Sequence, residues 1–406
     1  MRCRFSFLPI LAALACLTAA PPALAELYSV NVTVDGVPAS RSYTDVQELQ
    51  SVLTTRGIAS LSPHYTNASA VQGSLSIRGL DATLSMARNS PEIRLVVPRA
   101  GIDRTFSGAT REESQRQLRA FLGGSGDDEA MYEVADALVA RTLKDPIAGN
   151  PGSLLGQSIA ASHAAGIQPP GDLGTLAPRA AGWHFGSGFE FQSQRVGGTA
   201  RAYGLPLAAS YTFGADGPEA YLSLPLALNE LEGARAYMGS AALGLRIPLI
   251  RGEAVRWALS PAYRYGAAGS YDSGNVAAAH GPSLTSDLRL ALPAGLTFGI
   301  GNTYAYAATR PLEVGKARID YRLDNSFYRN GVWLARGLGT LAGRPVTVSA
   351  GVTDTRVAGS RFAVPSWQEY RLSLSLGREA PVSATLAYTD GRAGYSAWHL
   401  GLAIAF

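Results

Sequence analysis

The segment GWHFGSGFEFQSQRV, residues 182–196, decides the fold. Its odd positions carry Trp183, Phe185, Phe189 and Phe191, with His184, Glu190 and Gln192 between them. A period of two is that of a β-strand with one apolar face. After a Gly-Gly turn the period returns in Tyr203, Leu205, Leu207, Tyr211 and Phe213. It continues along 222–228, 237–249, 255–265, 284–292, 298–306, 319–327, 346–352, 370–376, 382–388 and 398–406. That makes twelve runs.

A soluble sandwich alternates as well, so the charges discriminate. Glu190, Arg246, Arg256, Arg264, Asp287, Arg289, Arg318, Asp320, Arg322, Asp324, Glu369 and Arg371 are all read on the face opposite the apolar one. The apolar face is nearly charge-free and carries aromatics near many strand ends, the pattern of a barrel with lipid outside and a polar lumen. The runs span about nine to thirteen residues, which suits tilted membrane strands better than the five or six common in sandwiches. The predicted fold is a transmembrane antiparallel β-barrel of about twelve strands preceded by a small α+β domain; ten and fourteen strands are the alternatives.

Parity constrains the connections, because bacterial barrels have an even number of strands, short periplasmic turns and longer outer loops. Counting from both ends puts the loops at 268–282 and 353–365 outside and 377–381 inside. The two counts agree if 325–344 is a single periplasmic connection. Were Asn330-Gly331 a hairpin turn instead, the count would become odd.

Upstream the period changes. Tyr28 to Val34, Ala70 to Ile77 and Glu92 to Val97 read as strands. Thr44-Asp45-Val46-Gln47 and Thr110-Arg111-Glu112-Glu113 read as capping boxes ahead of helices, and Met131, Val134 and Leu138 suggest a third. Asp127-Asp128-Glu129 is explained by the dipole of that helix rather than by a cation. Residues 1–25 read as a secretory signal peptide, with Arg2 and Arg4 before an apolar stretch and Ala23-Leu24-Ala25 at the cleavage site. The alternative, a lipoprotein signal ending at Cys16, lacks the usual Leu three before it. The expected divisions are 1–25, a 26–148 α+β domain, a 149–180 helix and linker, and a 181–406 barrel.

Composition agrees with this division. The chain is 47% hydrophobic and 16% charged with 45 Gly among 406 residues, yet no apolar run of about 18 follows the first thirty residues. Both cysteines, Cys3 and Cys16, fall in the signal segment, so no thiolate metal site or disulfide is expected. A net charge of +4 gives no nucleic-acid footprint.

The last eight residues, His399 to Phe406, resemble the C-terminal assembly signal of Gram-negative outer-membrane barrels. His399, Gly401, Ile404 and Phe406 match its polar, glycine, hydrophobic and terminal aromatic positions. The resemblance implies recognition by the barrel assembly machinery and an outer-membrane address, with outer-membrane lipid as the surrounding partner. More loosely, a helix followed by twelve strands resembles the translocator of autotransporters. There the helix sits inside the barrel and links it to a passenger, which is usually several hundred residues of repetitive β-helix; the domain here has about 120 residues and no repeats.

These readings predict a lumen closed by salt bridges and the preceding helix, ahead of a mildly anion-preferring pore. They predict no cofactor, no metal and no catalysis, because His184, His280 and His399 lack a carboxylate or amide at motif spacing to orient them. Oligomeric state stays open. The favoured function is an outer-membrane barrel with a periplasmic accessory domain, acting in transport or envelope organisation. The alternative is an autotransporter-like translocator displaying or exporting the small domain.

Overall fold

The structure is a computed structural model that describes residues 27–122, 128–168, 172, 174–176, 179–312, 321–377 and 381–406. Residues 1–25, expected as a signal peptide, therefore lie outside the described residues, as do Asp127, Arg318 and Asp320.

The N-terminal part begins with strands β1 (Tyr28–Val34) and β2 (Val37–Tyr43) and helices α1 (Val46–Val52) and α2 (Thr55–Leu61). Strands β3 (Val71–Ile77), β4 (Leu80–Met86), β5 (Ile93–Val97) and β6 (Ile102–Phe106) follow, then helices α3 (Arg111–Leu122) and α4 (Asp128–Arg141). The six strands form one antiparallel sheet in the order β2-β1-β3-β4-β5-β6. Alternation explains the layering: Tyr28, Val30, Val32 and Val34 are buried on one face, where they join Leu49, Val52, Ile58 and Leu118 of the helices. At α3 the Thr110 hydroxyl accepts from Glu113 N at 3.3 Å, and the Glu113 carboxylate accepts from Ala109 N at 2.9 Å. At α1 the cap is Asp45 rather than Thr44, its carboxylate accepting from Gln47 N at 2.6 Å.

The barrel strands are β7 (Gly182–Arg195), β8 (Thr199–Thr212), β9 (Glu219–Leu231), β10 (Ala234–Arg251), β11 (Val255–Ser270) and β12 (Asn275–Leu292). They continue as β13 (Leu296–Pro311), β14 (Asp324–Leu341), β15 (Arg344–Gly359), β16 (Ser366–Leu376), β17 (Val382–Gly391) and β18 (Ser396–Ala405). Each pairs antiparallel with its sequence neighbours, and β18 closes onto β7 with Ala405 opposite Gly186 and Ser396 opposite Arg195. Closure removes every sheet edge. Both ends of the barrel sequence therefore meet at one rim, where the amide and carbonyl of Phe185 and Phe406 exchange hydrogen bonds.

The outer face is apolar. Trp183 is 65% and Phe406 64% exposed, and Leu243, Leu372 and Leu402 are among the large hydrophobics bare to the surroundings. At the Phe406 rim the Trp183 ring lies 5.3 Å from Tyr211, and Phe185 lies 5.8 Å from Phe406. Toward the opposite mouth Tyr304 pairs with Tyr328 at 5.4 Å and Tyr388 with Trp398 at 4.9 Å. An apolar band between two aromatic girdles is a lipid-facing surface.

Twelve strands are present, but four boundaries differ from expectation. The loop expected at 353–365 is strand through Gly359, leaving 360–365 as the connection. The loop expected at 268–282 is mostly strand, leaving a turn at 271–274, so His280 lies in β12. The connection expected at 325–344 is β14, with Asn330-Gly331 in mid-strand opposite Asn302-Gly301 and Asp354-Thr353. The run expected at 319–327 overlaps only its beginning. Tyr321 and Leu323 are buried in a cluster at the mouth opposite Phe406, and Phe327 turns inward against Phe362 at 5.8 Å. An apolar plug makes inward residues hydrophobic, and alternation alone then reads the wrong phase.

Candidate functional site

A helix occupies the lumen. Helix α5 (Leu154–Ile167) begins beside the mouth opposite Phe406, with Ser153 as N-cap. It packs against β11, β12 and β13 on one side of the barrel. Its composition explains the fit: Gly166 lies where a Cβ would come within 2.5 Å of the Thr285 side chain. Ser162 Oγ accepts from Arg264 Nε at 3.0 Å, and His163 Nδ1 lies 2.8 Å from Thr303 Oγ1.

The free carbonyls at the end of α5 are met by cations. Arg246 donates to the carbonyls of Ala165 and Gly166, and Arg289 donates to that of Ile167 at 2.5 Å. Arginines at a helix C-terminus complement both the unpaired carbonyls and the dipole. Each is neutralised in turn: Arg246 lies 3.3 Å from Asp287, and Arg289 lies 2.8 Å from Asp172 and 2.9 Å from Asp287. Beyond the helix, Arg179 pairs with Glu219 at 2.9 Å, and the chain then enters β7 at the Phe406 rim.

Across from the helix, Glu369 accepts from Arg329 at 3.2 Å and from Arg371 at 2.8 Å. Glu190 lies 3.7 Å from His399. Between these groups and Gln157, Ala161 and Ala164 of α5 lies a cavity of 390 Å³ that reaches Gly186, Pro381 and Ala405 near the Phe406 rim.

The opposite mouth is filled. Val139, Ile147, Ala148, Leu154 and Leu155 pack with Phe327, Phe362, Val364, Trp367 and Tyr395. Backbone bonds join the layers, from Ala363 N to Val139 O and from Val364 N to Gly149 O, both 2.9 Å. A polar clasp lies beside this plug. Asp145 accepts from Arg78 at 3.1 Å and from the Tyr321 hydroxyl at 2.7 Å, while its other oxygen accepts from the amides of Ile147 and Ala148. Tyr28 donates to Ser273 O at 3.3 Å, and Lys144 pairs with Glu232 at 2.7 Å. Burial, chiefly, raises the Tyr28 hydroxyl to about 12 and holds that of Tyr321 well above its ordinary range. The six-stranded domain is thus docked on the mouth opposite Phe406, not at the rim where the barrel sequence begins and ends.

No protein-family model matches this chain, and no curated protein does either. Similar solved structures include the β domain of the Bordetella autotransporter BrkA, at 14% identity and TM-score 0.43, covering 56% of this chain and 99% of that one. The translocator domain of autotransporter NalP from Neisseria meningitidis matches at 12% identity and TM-score 0.43, covering 62% and 94%. An outer-membrane channel from Pseudomonas putida F1 matches at 8% identity and TM-score 0.40, covering 56% and 95%. This is an outer-membrane-type β-barrel.

Its inward charges are placed as follows. Glu190, Arg246, Arg256, Arg264, Asp287, Arg289, Glu369 and Arg371 point inward, Arg256 onto Asp216 at 3.0 Å near the Phe406 rim. Asp324 does not: it lies on the outer face and accepts from the Tyr306 hydroxyl at 2.6 Å. Arg322 precedes β14 and lies 3.3 Å over the Tyr132 ring of α4. Of the expected ladder, Arg318 and Asp320 lie outside the described residues, and Arg322 and Asp324 are not on the lumen face, because the strand starts only at Asp324. Arg329 takes its place, hidden from sequence reading by the inverted phase of β14. Glu219 was accessible through parity with Leu222 and Leu224; Asp172 and Asp145 lie in aperiodic segments. Of the terminal residues, His399 and Gly401 line the cavity, Ile404 borders it with its side chain exposed, and Phe406 is exposed at the rim. His280 bonds Tyr263 at 2.6 Å and Arg310 at 3.0 Å, and His184 bonds Ala180 O at 3.0 Å. Among the described residues no three His, Cys, Asp or Glu side chains converge as a metal site.

Proposed function

We infer that this protein is a surface-display barrel, a non-conducting anchor that carries its small α+β domain as a fixed cap on the outer side of the membrane. The observation that carries the reading is the path of the chain. The domain sits on one mouth, α5 descends through the lumen, and β7 starts at the other rim beside Phe406. In bacterial barrels the rim with the short turns is periplasmic. Here both ends of the barrel sequence lie on the Phe406 rim, whose connections are no longer than six residues; on the other mouth five connections are as short and the sixth spans 312–323. This supports the autotransporter-like alternative over a periplasmic accessory domain. The plug at the outer mouth supports anchoring over transport.

Cysteine labelling on intact cells tests the topology, since both natural cysteines precede residue 26. Asn31→Cys and Ser40→Cys lie on the open face of the sheet, and both are expected to react with a membrane-impermeant maleimide without permeabilisation. Labelling that requires outer-membrane disruption would return the domain to the periplasm.

A further inference from the structure

Two asparagines interrupt the lipid-facing belt. Asn302 of β13 and Asn330 of β14 stand directly opposite one another in register, both exposed on the outer face. On the Phe406 side the next outward residues are Ile300 and Val332; on the other they are Tyr304 and Tyr328, whose rings meet at a tilt in the girdle. The two amides therefore lie within the apolar band, below its aromatic edge. Among the described residues neither side chain has a hydrogen-bond partner. The same register continues to Asp354, which is held by Arg356 at 3.0 Å on the outer face of β15.

An amide that bonds nothing in hydrocarbon is strongly disfavoured, and acyl chains supply neither donor nor acceptor. Headgroups lie beyond the tyrosines. A carboxamide, however, carries both a donor and an acceptor and so complements another carboxamide. A two-fold axis brings identical patches face to face at the same depth. We propose that the outer face of β13 to β15 is the interface of a homodimer within the membrane, in which Asn302 and Asn330 hydrogen-bond to the same pair of a second copy. Polar side chains act in this way between membrane segments that have no hydrophobic drive to associate.

Single cysteines in the full chain test this in native outer membranes. Ile300→Cys and Val332→Cys keep both asparagines and flank them; Leu205→Cys of β8 lies on the far side of the barrel. On mild oxidation, the first two are expected to give a disulfide-linked species of twice the chain mass, at least tenfold above that from Leu205→Cys. Adding Asn302→Leu and Asn330→Leu to Val332→Cys is expected to reduce that species to the Leu205→Cys level, with the heat-modifiable mobility of the folded barrel retained. Equal cross-linking at all three positions, adducts only with a different protein, or a dimer indifferent to the double substitution would each overturn the proposal.

Discussion

Arg78, in the turn between β3 and β4, and Asp145, in the segment leading to α5, lie 3.1 Å apart with side chains 1% and 0% exposed. Removing one partner of a buried pair leaves the other charge without compensation, at about 3–5 kcal/mol. Arg78→Ala is therefore expected to loosen the docked domain while the barrel stays folded. Limited proteolysis should then cut between residues 142 and 153, and no change in cleavage would show that the apolar plug alone holds the cap.

The arginines at the end of α5 are expected to set its protection. Charge-assisted hydrogen bonds contribute about 1.5–3 kcal/mol each, and Arg289 makes them to Ile167 O and to Asp172. In hydrogen exchange on the folded barrel, Arg289→Ala should accelerate the amides of residues 163–168 far more than those of 154–158. Uniform acceleration along the helix would count against a local brace.

Gly166 is expected to tolerate no side chain. A Cβ there would lie 2.5 Å from Thr285, and overpacking of this kind costs about 1–3 kcal/mol. Gly166→Val should lower the unfolding temperature of the purified protein, and Thr285→Ala in the same chain should restore part of the loss. Additive effects of the two changes would place the clash elsewhere.

The clasp is expected to be alkali-sensitive. Burial raises the folded Tyr28 hydroxyl to about 12 from its ordinary value of 10. The folded state thus holds this proton more tightly than the unfolded chain, so the contribution is full below pH 10 and is lost as pH rises through 12. Tyr28→Phe should abolish that part of the pH dependence of domain release, followed by proteolysis between pH 9 and 12. An unchanged profile would assign the dependence to other groups.

The intact protein is expected to be silent in a planar bilayer, because the plug of Val139, Ile147, Leu154, Phe362 and Trp367 closes one mouth of the cavity. Deleting residues 27–168, which removes the cap, its plug segment and the lumen helix α5, should allow discrete openings. Openings from the intact chain would contradict the seal.

The lipid belt, the total of twelve strands and the faces of every strand but β14 were legible in the local alternation. Lipid selects side chains one position in two, and that selection is written locally, as in Trp183, Phe185 and Phe189. The same logic placed Arg246, Asp287 and Arg289 inside. It failed at β14, where inward Phe327 and Trp333 are apolar because they meet a plug and a helix rather than water, and so Arg329 was passed over.

Which mouth the small domain covers, and what holds it there, came from contacts distant in the chain. Arg78 and Asp145 are 67 residues apart in sequence, and Asp145 and Tyr321 are 176 apart. Their meeting depends on the barrel closing and on α5 descending through it. No local period records a contact between segments that are brought together only by closure, so the address of the barrel was legible in the chain and the position of its cap was not.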